Sequence, residues 1–137
     1  MTNVLRISNA VSLALHAMVY LAKQPDRLIP THEIADVHGV SQNHLAKVCQ
    51  RLEKAGLIQG TRGPNGGFRL AKPAEKITLL DIHEAIDGPF TPSDCLLEKP
   101  VCDGNRCVLD DLIKNVNQQV LRYFSQTTLA HLSDPGA

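Results

Sequence analysis

The stretch Leu57-Ile58-Gln59-Gly60-Thr61-Arg62-Gly63-Pro64-Asn65-Gly66-Gly67-Phe68-Arg69-Leu70 decides the fold of this 137-residue chain. Residues 57–62 alternate apolar and polar, residues 63–67 are dense turn chemistry, and residues 68–70 return as a second short strand. The expectation is a β-hairpin whose glycines let the backbone turn tightly and approach a neighbour closely. Arg62 and Arg69 flank its tip, where they can reach a minor groove or phosphates.

Upstream lies a helical pattern over residues 42–55, opened by Ser41 and closed by Gly56. Leu45, Val48, Leu52 and Ala55 follow 3, 4, 3 spacing and are expected to pack inward. The other side presents Gln42, Asn43, Lys47, Gln50, Arg51 and Lys54. Amides pair with adenine edges, and Arg and Lys reach guanine or phosphate. Residues at the N-terminus of a reading helix reach base edges first. Gln42, Asn43 and His44 are therefore the candidates for base readout, and Lys47 and Arg51 for phosphates or bases. Any surface helix carries Lys and Gln, so the polar face alone decides nothing. A glycine-rich basic hairpin directly after it does.

One helix earlier, Thr31 is expected to cap residues 32–38, with Gly39 just beyond. Two short helices joined by the turn His38-Gly39-Val40-Ser41 are a helix–turn–helix. Ser8 or Asn9 is expected to cap a first helix that runs to about residue 23, apolar on more than one side. After Pro73, Thr78 caps residues 79–87 with Asp81 at the capping-box position. Residues 108–124 form a long amphipathic pattern with Leu109, Leu112, Val116, Val120 and Tyr123 on one face and Ile113 and Phe124 beside it, and residues 128–132 a last turn. The fold expected is mostly α, a winged helix–turn–helix over residues 1–76 followed by a second part over residues 77–137.

Charge divides the same way. Residues 1–76 carry ten Lys/Arg against five Asp/Glu, and residues 77–137 carry four against nine. Seven of the ten basic residues fall between Lys47 and Lys76. A basic half beside an acidic one points to a polyanion partner for the former. The first 25 residues lack a secretory pattern and no apolar run is long enough to span a membrane, so a cytoplasmic protein with no membrane partner is expected. Enzyme signatures are missing: no phosphate-cradling Gly loop opens a helix, and neither a nucleophile elbow nor HExxH occurs.

In a cytoplasmic chain, cysteines read as metal ligands, redox thiols or core residues rather than a disulfide framework. Cys95, Cys102 and Cys107 have six and four residues between them, all in the segment between the fourth helix and the long helix. Three thiols that close in sequence can converge on one centre. Thiolates suit iron–sulfur clusters and zinc, and spacing alone leaves both open, together with a redox thiol set. Cys49, beside the inward stripe of the third helix, reads as a small buried hydrophobe. His32, His38, His83 and His131 have no matching partners in sequence.

Residues 52–58 (LEKAGLI) and 62–71 (RGPNGGFRLA) resemble the winged-helix repressors that include the iron–sulfur regulator IscR and the nitric-oxide sensor NsrR. Residues 14–22 (ALHAMVYLA) and 77–87 are similar to that family too, so the resemblance covers nearly the whole chain. It implies a homodimer joined by the long C-terminal helix, palindromic double-stranded DNA as partner, and an iron–sulfur cluster, 2Fe–2S or 4Fe–4S, on Cys95, Cys102 and Cys107. In IscR-like members a His follows the last Cys by three residues; here that residue is Asp110. In NsrR-like members an acidic residue of the partner's first helix serves; the matching residue here is Ser12, with His16 one turn later. His16 is the leading candidate for the fourth ligand, and a histidine hydrogen-bonded to backbone is its ordinary alternative. The resemblance places Gly66 and Gly67 in the DNA-contacting wing. A zinc-held structural or protein-interaction module is the competing reading of the chain.

Overall fold

A computed structural model describes residues 5–93, 95, 97, 101 and 108–133. Its helices are α1 (Asn9–Ala22), α2 (Thr31–His38), α3 (Gln42–Lys54), α4 (Leu79–Asp87), α5 (Leu112–Gln126) and α6 (Leu129–Ser133). Strands β1 (Ile58–Thr61) and β2 (Gly67–Leu70) form an antiparallel hairpin between α3 and α4. This is the expected mostly helical winged helix–turn–helix.

The centre of the molecule is α1. Ser8 Oγ accepts the Val11 N–H at 3.1 Å, satisfying one of the unpaired donors of the first turn. Val11, Ala14, Ala17, Met18 and Leu21 are buried, and the helix touches α2, α3, α4, α6 and β2. Small residues at positions 14 and 17 let these neighbours approach closely.

The turn after α2 rests on Gly39, whose φ of 65° is left-handed; Val40 N–H then reaches back to the Ala35 carbonyl at 3.0 Å. The Ser41 cap holds α3 as expected, its Oγ accepting the His44 N–H at 3.1 Å. Two boundaries differ from expectation. Thr31 is the first residue of α2 rather than its cap, because Pro30, with φ already near the helical value, occupies the cap position. Ala55 is exposed rather than inward: α3 stops at Lys54, and Gly56, with φ 80°, folds the chain back so that Leu57 and Ile58 enter the core. Cys49 fills the inner stripe of α3 beside Leu45, Val48 and Leu52.

The hairpin is paired Ile58↔Leu70 through Thr61↔Gly67. A third extended segment joins it, which periodicity did not suggest: Ile29 and Phe68 exchange both backbone hydrogen bonds at 2.9 Å. That bridge pins the wing to the start of α2.

Thr78 and Asp81 make the full capping box of α4, at 3.1 and 3.0 Å. The C-terminal segment returns to this point, with Leu79 N–H on the Thr127 carbonyl and Leu129 N–H on the Ile77 carbonyl. One apolar core therefore runs from Val11 to Leu129.

The long helix starts later than expected. Asp110 has φ 54°, a left-handed value that breaks the helical run, so α5 begins at Leu112 and extends to Gln126. Its face is also less covered than an ordinary amphipathic helix. Phe124 is buried, whereas Leu112 and Tyr123 are each 56% exposed. Among the described residues, no helix is long and apolar enough to cross a membrane.

Candidate nucleic-acid interface and cysteine loop

Gln42, Asn43, His44, Lys47, Gln50 and Arg51 are all exposed on α3. At 3.6 residues per turn, Asn43, Lys47, Gln50 and Lys54 stand opposite the buried stripe. Gln42 and Ala46 turn toward the wing, while His44 and Arg51 turn the other way. Between helix and hairpin lies an open cleft of about 540 Å³, whose lining includes Gln42, Gln50, Thr61 and Arg62. Thr31 and His32 also face it from the start of α2. The sequence pattern did not single out these two; the signal available was their position directly after Pro30, at a helix N-terminus where backbone N–H groups point outward.

The wing brings Arg62 to this cleft but not Arg69. Residues alternate across a strand, so Arg69 stands on the face opposite Phe68, next to Gln59 in the register. Gly66 and Gly67 line the cleft, and both are required by backbone proximity. A Cβ on Gly66 would lie 2.0 Å from the Thr61 carbonyl oxygen, and one on Gly67 would lie 2.5 Å from the Ile29 carbonyl. Glu53 stabilises the joint between helix and wing by accepting the Gly60 N–H at 2.8 Å.

Arg51 is already engaged. Its Nη1 donates to the Ile86 carbonyl at 3.1 Å, in the last turn of α4. A cation there complements the unpaired carbonyls of a helix C-terminus.

Of the three clustered cysteines, Cys95 is described and half-buried; Cys102 and Cys107 lie outside the described residues. Cys95 Sγ accepts the Leu97 N–H at 3.4 Å, the type of contact that stabilises a thiolate ligand. Ser93 Oγ accepts the Cys95 N–H at 3.1 Å, and Asn117 of α5 donates to the Ser93 carbonyl at 2.9 Å. The loop start is thereby fastened to α5. Phe90 packs edge-on against His83 of α4, with ring centroids 5.0 Å apart, and also meets Phe124 of α5.

His16 is exposed on α1, with Nδ1 at 2.7 Å from the Ser12 carbonyl. With Nδ1 donating to that carbonyl, a neutral ring carries its lone pair on Nε2, the tautomer a metal ligand needs. Leu15, His16, Val19, Tyr20, Leu79 and Leu132 line a shallow apolar groove there. The other candidate, Asp110, is exposed in the turn before α5.

Cys49 is only 1% exposed, and burial, reinforced by the charge of Glu53, pushes its thiol up to about 12. It is a core residue, as its position beside the apolar stripe suggested.

Residues 7–135 match the model of the Rrf2 family, described as iron-dependent transcriptional regulators. A protein of Aquifex aeolicus (strain VF5), named provisionally as an HTH-type transcriptional regulator, is 38% identical over 128 residues, 91% of this chain and 89% of that one. The fold is similar to CymR (YrzC), the global cysteine regulator of B. subtilis, with TM-score 0.80 and 27% identity over 94% of this chain and 96% of that one. It is also similar to T. potens IscR, with TM-score 0.73 and 22% identity over 98% of this chain and 90% of that one. The chain belongs to the Rrf2 family and is a DNA-binding transcriptional regulator, not an enzyme.

Proposed function

We propose that this regulator is a homodimeric repressor whose hold on a palindromic operator is set by an iron–sulfur cluster on Cys95, Cys102 and Cys107, with His16 of the partner subunit as fourth ligand. The observation that carries the cofactor reading is the Cys95 thiol. It is half-buried, receives a backbone N–H on sulfur, and is fastened by Ser93 and Asn117 to α5. Its chemistry fits thiolate ligation, as does the Nε2 of His16. When bound, the cluster would report redox state, nitric oxide or iron–sulfur status through gain, loss or change of its own iron.

The chain's residues do the rest. Gln42, Asn43 and His44 read base edges from the first turn of α3, and Lys47 holds a phosphate or base. Arg62 reaches the backbone or minor groove from the wing tip, and Gly66 and Gly67 keep that tip compact. Arg69, on the outer face of the hairpin, supplies longer-range attraction to the duplex. The two parts divide the work, residues 1–76 reading DNA and residues 77–137 carrying cofactor loop and dimer helix. Palindromic half-sites require two recognition helices at a fixed spacing, so a small change in the dimer alters operator affinity. The exposed apolar residues Leu112 and Tyr123, on one side of α5, support dimerisation there.

Protein purified without oxygen should be brown, with visible absorbance and iron and sulfide in comparable amounts. His16→Ala should change that spectrum. A colourless protein that keeps full operator affinity when all three cysteines are alanine would overturn the sensor. Zinc at about one per chain with no iron would favour a zinc-held structural loop instead of a cluster.

A further inference from the structure

We infer that Arg51 is a positioning residue that couples the recognition helix to the Cys95 loop, rather than a DNA contact. This rests on the sensor reading above and deepens it by naming the route within one chain.

The route is short and built from described contacts. Arg51 Nη1 of α3 holds the Ile86 carbonyl at 3.1 Å. Two residues on, Gly88 has φ 79° and ψ −163°, and there the chain leaves α4. Phe90 then returns against His83 at 5.0 Å and Phe124 at 6.0 Å. His83 is 9% exposed, and its Nδ1 has no hydrogen-bond partner among the described residues. With Nδ1 unbonded among the described residues and the ring edge-on to Phe90 and Phe124, the imidazole is placed in part by those ring contacts, so a shift of Phe90 is felt at His83. From Phe90 the chain reaches Ser93, held by Asn117, and then Cys95. A displacement of Cys95 therefore passes through Phe90 to the last turn of α4, and from the Ile86 carbonyl to α3.

Position on the helix argues the same way. Arg51 turns away from the wing, while the outermost side chains of α3 are Asn43, Lys47, Gln50 and Lys54. With Nη1 on the Ile86 carbonyl, the Arg51 guanidinium is tethered at a helix C-terminus, where cations are favoured, so moving out to a phosphate would strain or cost that charge-assisted bond. Lys47, one turn earlier and exposed, shows no such bond among the described residues.

The test compares wild type, Arg51→Ala and Lys47→Ala on a palindromic duplex selected from a random pool by the wild-type protein. Each is measured with the cluster loaded and with it stripped, across a salt series. For Lys47→Ala, the slope of log affinity against log salt should fall by about 0.9, the value for one lost phosphate contact, with the loaded-to-stripped ratio kept. For Arg51→Ala, the slope should stay and the ratio should collapse at least fivefold toward one. A slope reduced by about 0.9 with the ratio intact would make Arg51 a phosphate contact and overturn the inference. Arg51→Gln keeps the stem without the charge and reads the same ratio if the alanine variant fails to fold. Amide exchange across residues 86–95 of stripped protein should quicken in either variant; unchanged exchange also overturns the inference. If loaded and stripped wild type bind equally, the sensor reading falls and the coupling with it. The exchange result then tells that failure from a failure of the Arg51 contact.

Discussion

Burial decides the chemistry of single side chains here. Cys49 and Cys95 are both free thiols, yet one is in the core and the other half-buried in a loop. With Cys49 pushed up to about 12, almost no thiolate exists at pH 8. In cluster-free native protein at that pH, iodoacetamide should leave Cys49 unmodified while labelling Cys95; mass spectrometry of the digested protein reads the difference. Equal labelling would mean that α3 opens freely. Glu33 shows the reverse effect. The Tyr20 hydroxyl donates to its carboxylate at 2.5 Å and Arg27 pairs with it, so both hold its pKa below the usual carboxylate value of 4.5. A depressed carboxyl contributes stability that is complete above the unfolded value and is lost as pH falls through the folded one. The melting temperature should therefore fall as pH drops below 4.5, and Tyr20→Phe should shrink that drop. An identical pH profile for the variant would show that the pair does not act. These effects were not legible beforehand, because Tyr20, Arg27 and Glu33 are far enough apart in sequence that only the fold brings them together.

At the level of elements, capping chemistry was easy to read. Ser8, Ser41 and the Thr78–Asp81 box sit where side-chain oxygens before an apolar period must sit, and all three make their bonds. The wing was legible as a hairpin, but its anchoring was not. A single bridged residue, Ile29, has no period, so nothing local marks it. Gly67 carries the consequence. It is conformationally ordinary, and what it needs is space, since the Ile29 backbone lies where a Cβ would be. Gly67→Ala should cost about 1–3 kcal/mol in denaturant unfolding, the range for overpacking a well-packed site. A loss under about 0.5 kcal/mol would mean that the Ile29–Phe68 bridge is not held in solution. The start of α5 was misread for a related reason. The apolar period continues back to Val108, but Asp110 takes a left-handed conformation that periodicity does not register.

For the whole molecule, the uneven cover of α5 carries the consequence. Leu112 and Tyr123, on one side of the helix whose amphipathic pattern is among the clearest in the chain, are each 56% exposed. A dimer joined along α5 would bury them, at roughly 25 cal/mol for each Å² of apolar surface removed from water. Leu112→Asp combined with Tyr123→Asp should give a monomer by sedimentation. It should lose operator affinity at least a hundredfold and keep weak non-specific binding to mixed-sequence DNA, which needs only phosphates. A double variant that still sediments as a dimer would put the interface elsewhere.

The helix–turn–helix, the caps, the hairpin and the clustered thiols were set by local sequence, because each depends on residues within one or two turns of chain. The wing motif of residues 57–70 also carried the family resemblance. Only the tertiary structure decided which basic residues share a face. It set Arg62 beside the recognition helix, turned Arg69 outward, and joined Arg51 to the end of α4. Those outcomes depend on how helices and hairpin pack around α1, and side-chain direction after packing is a long-range property that no local pattern contains.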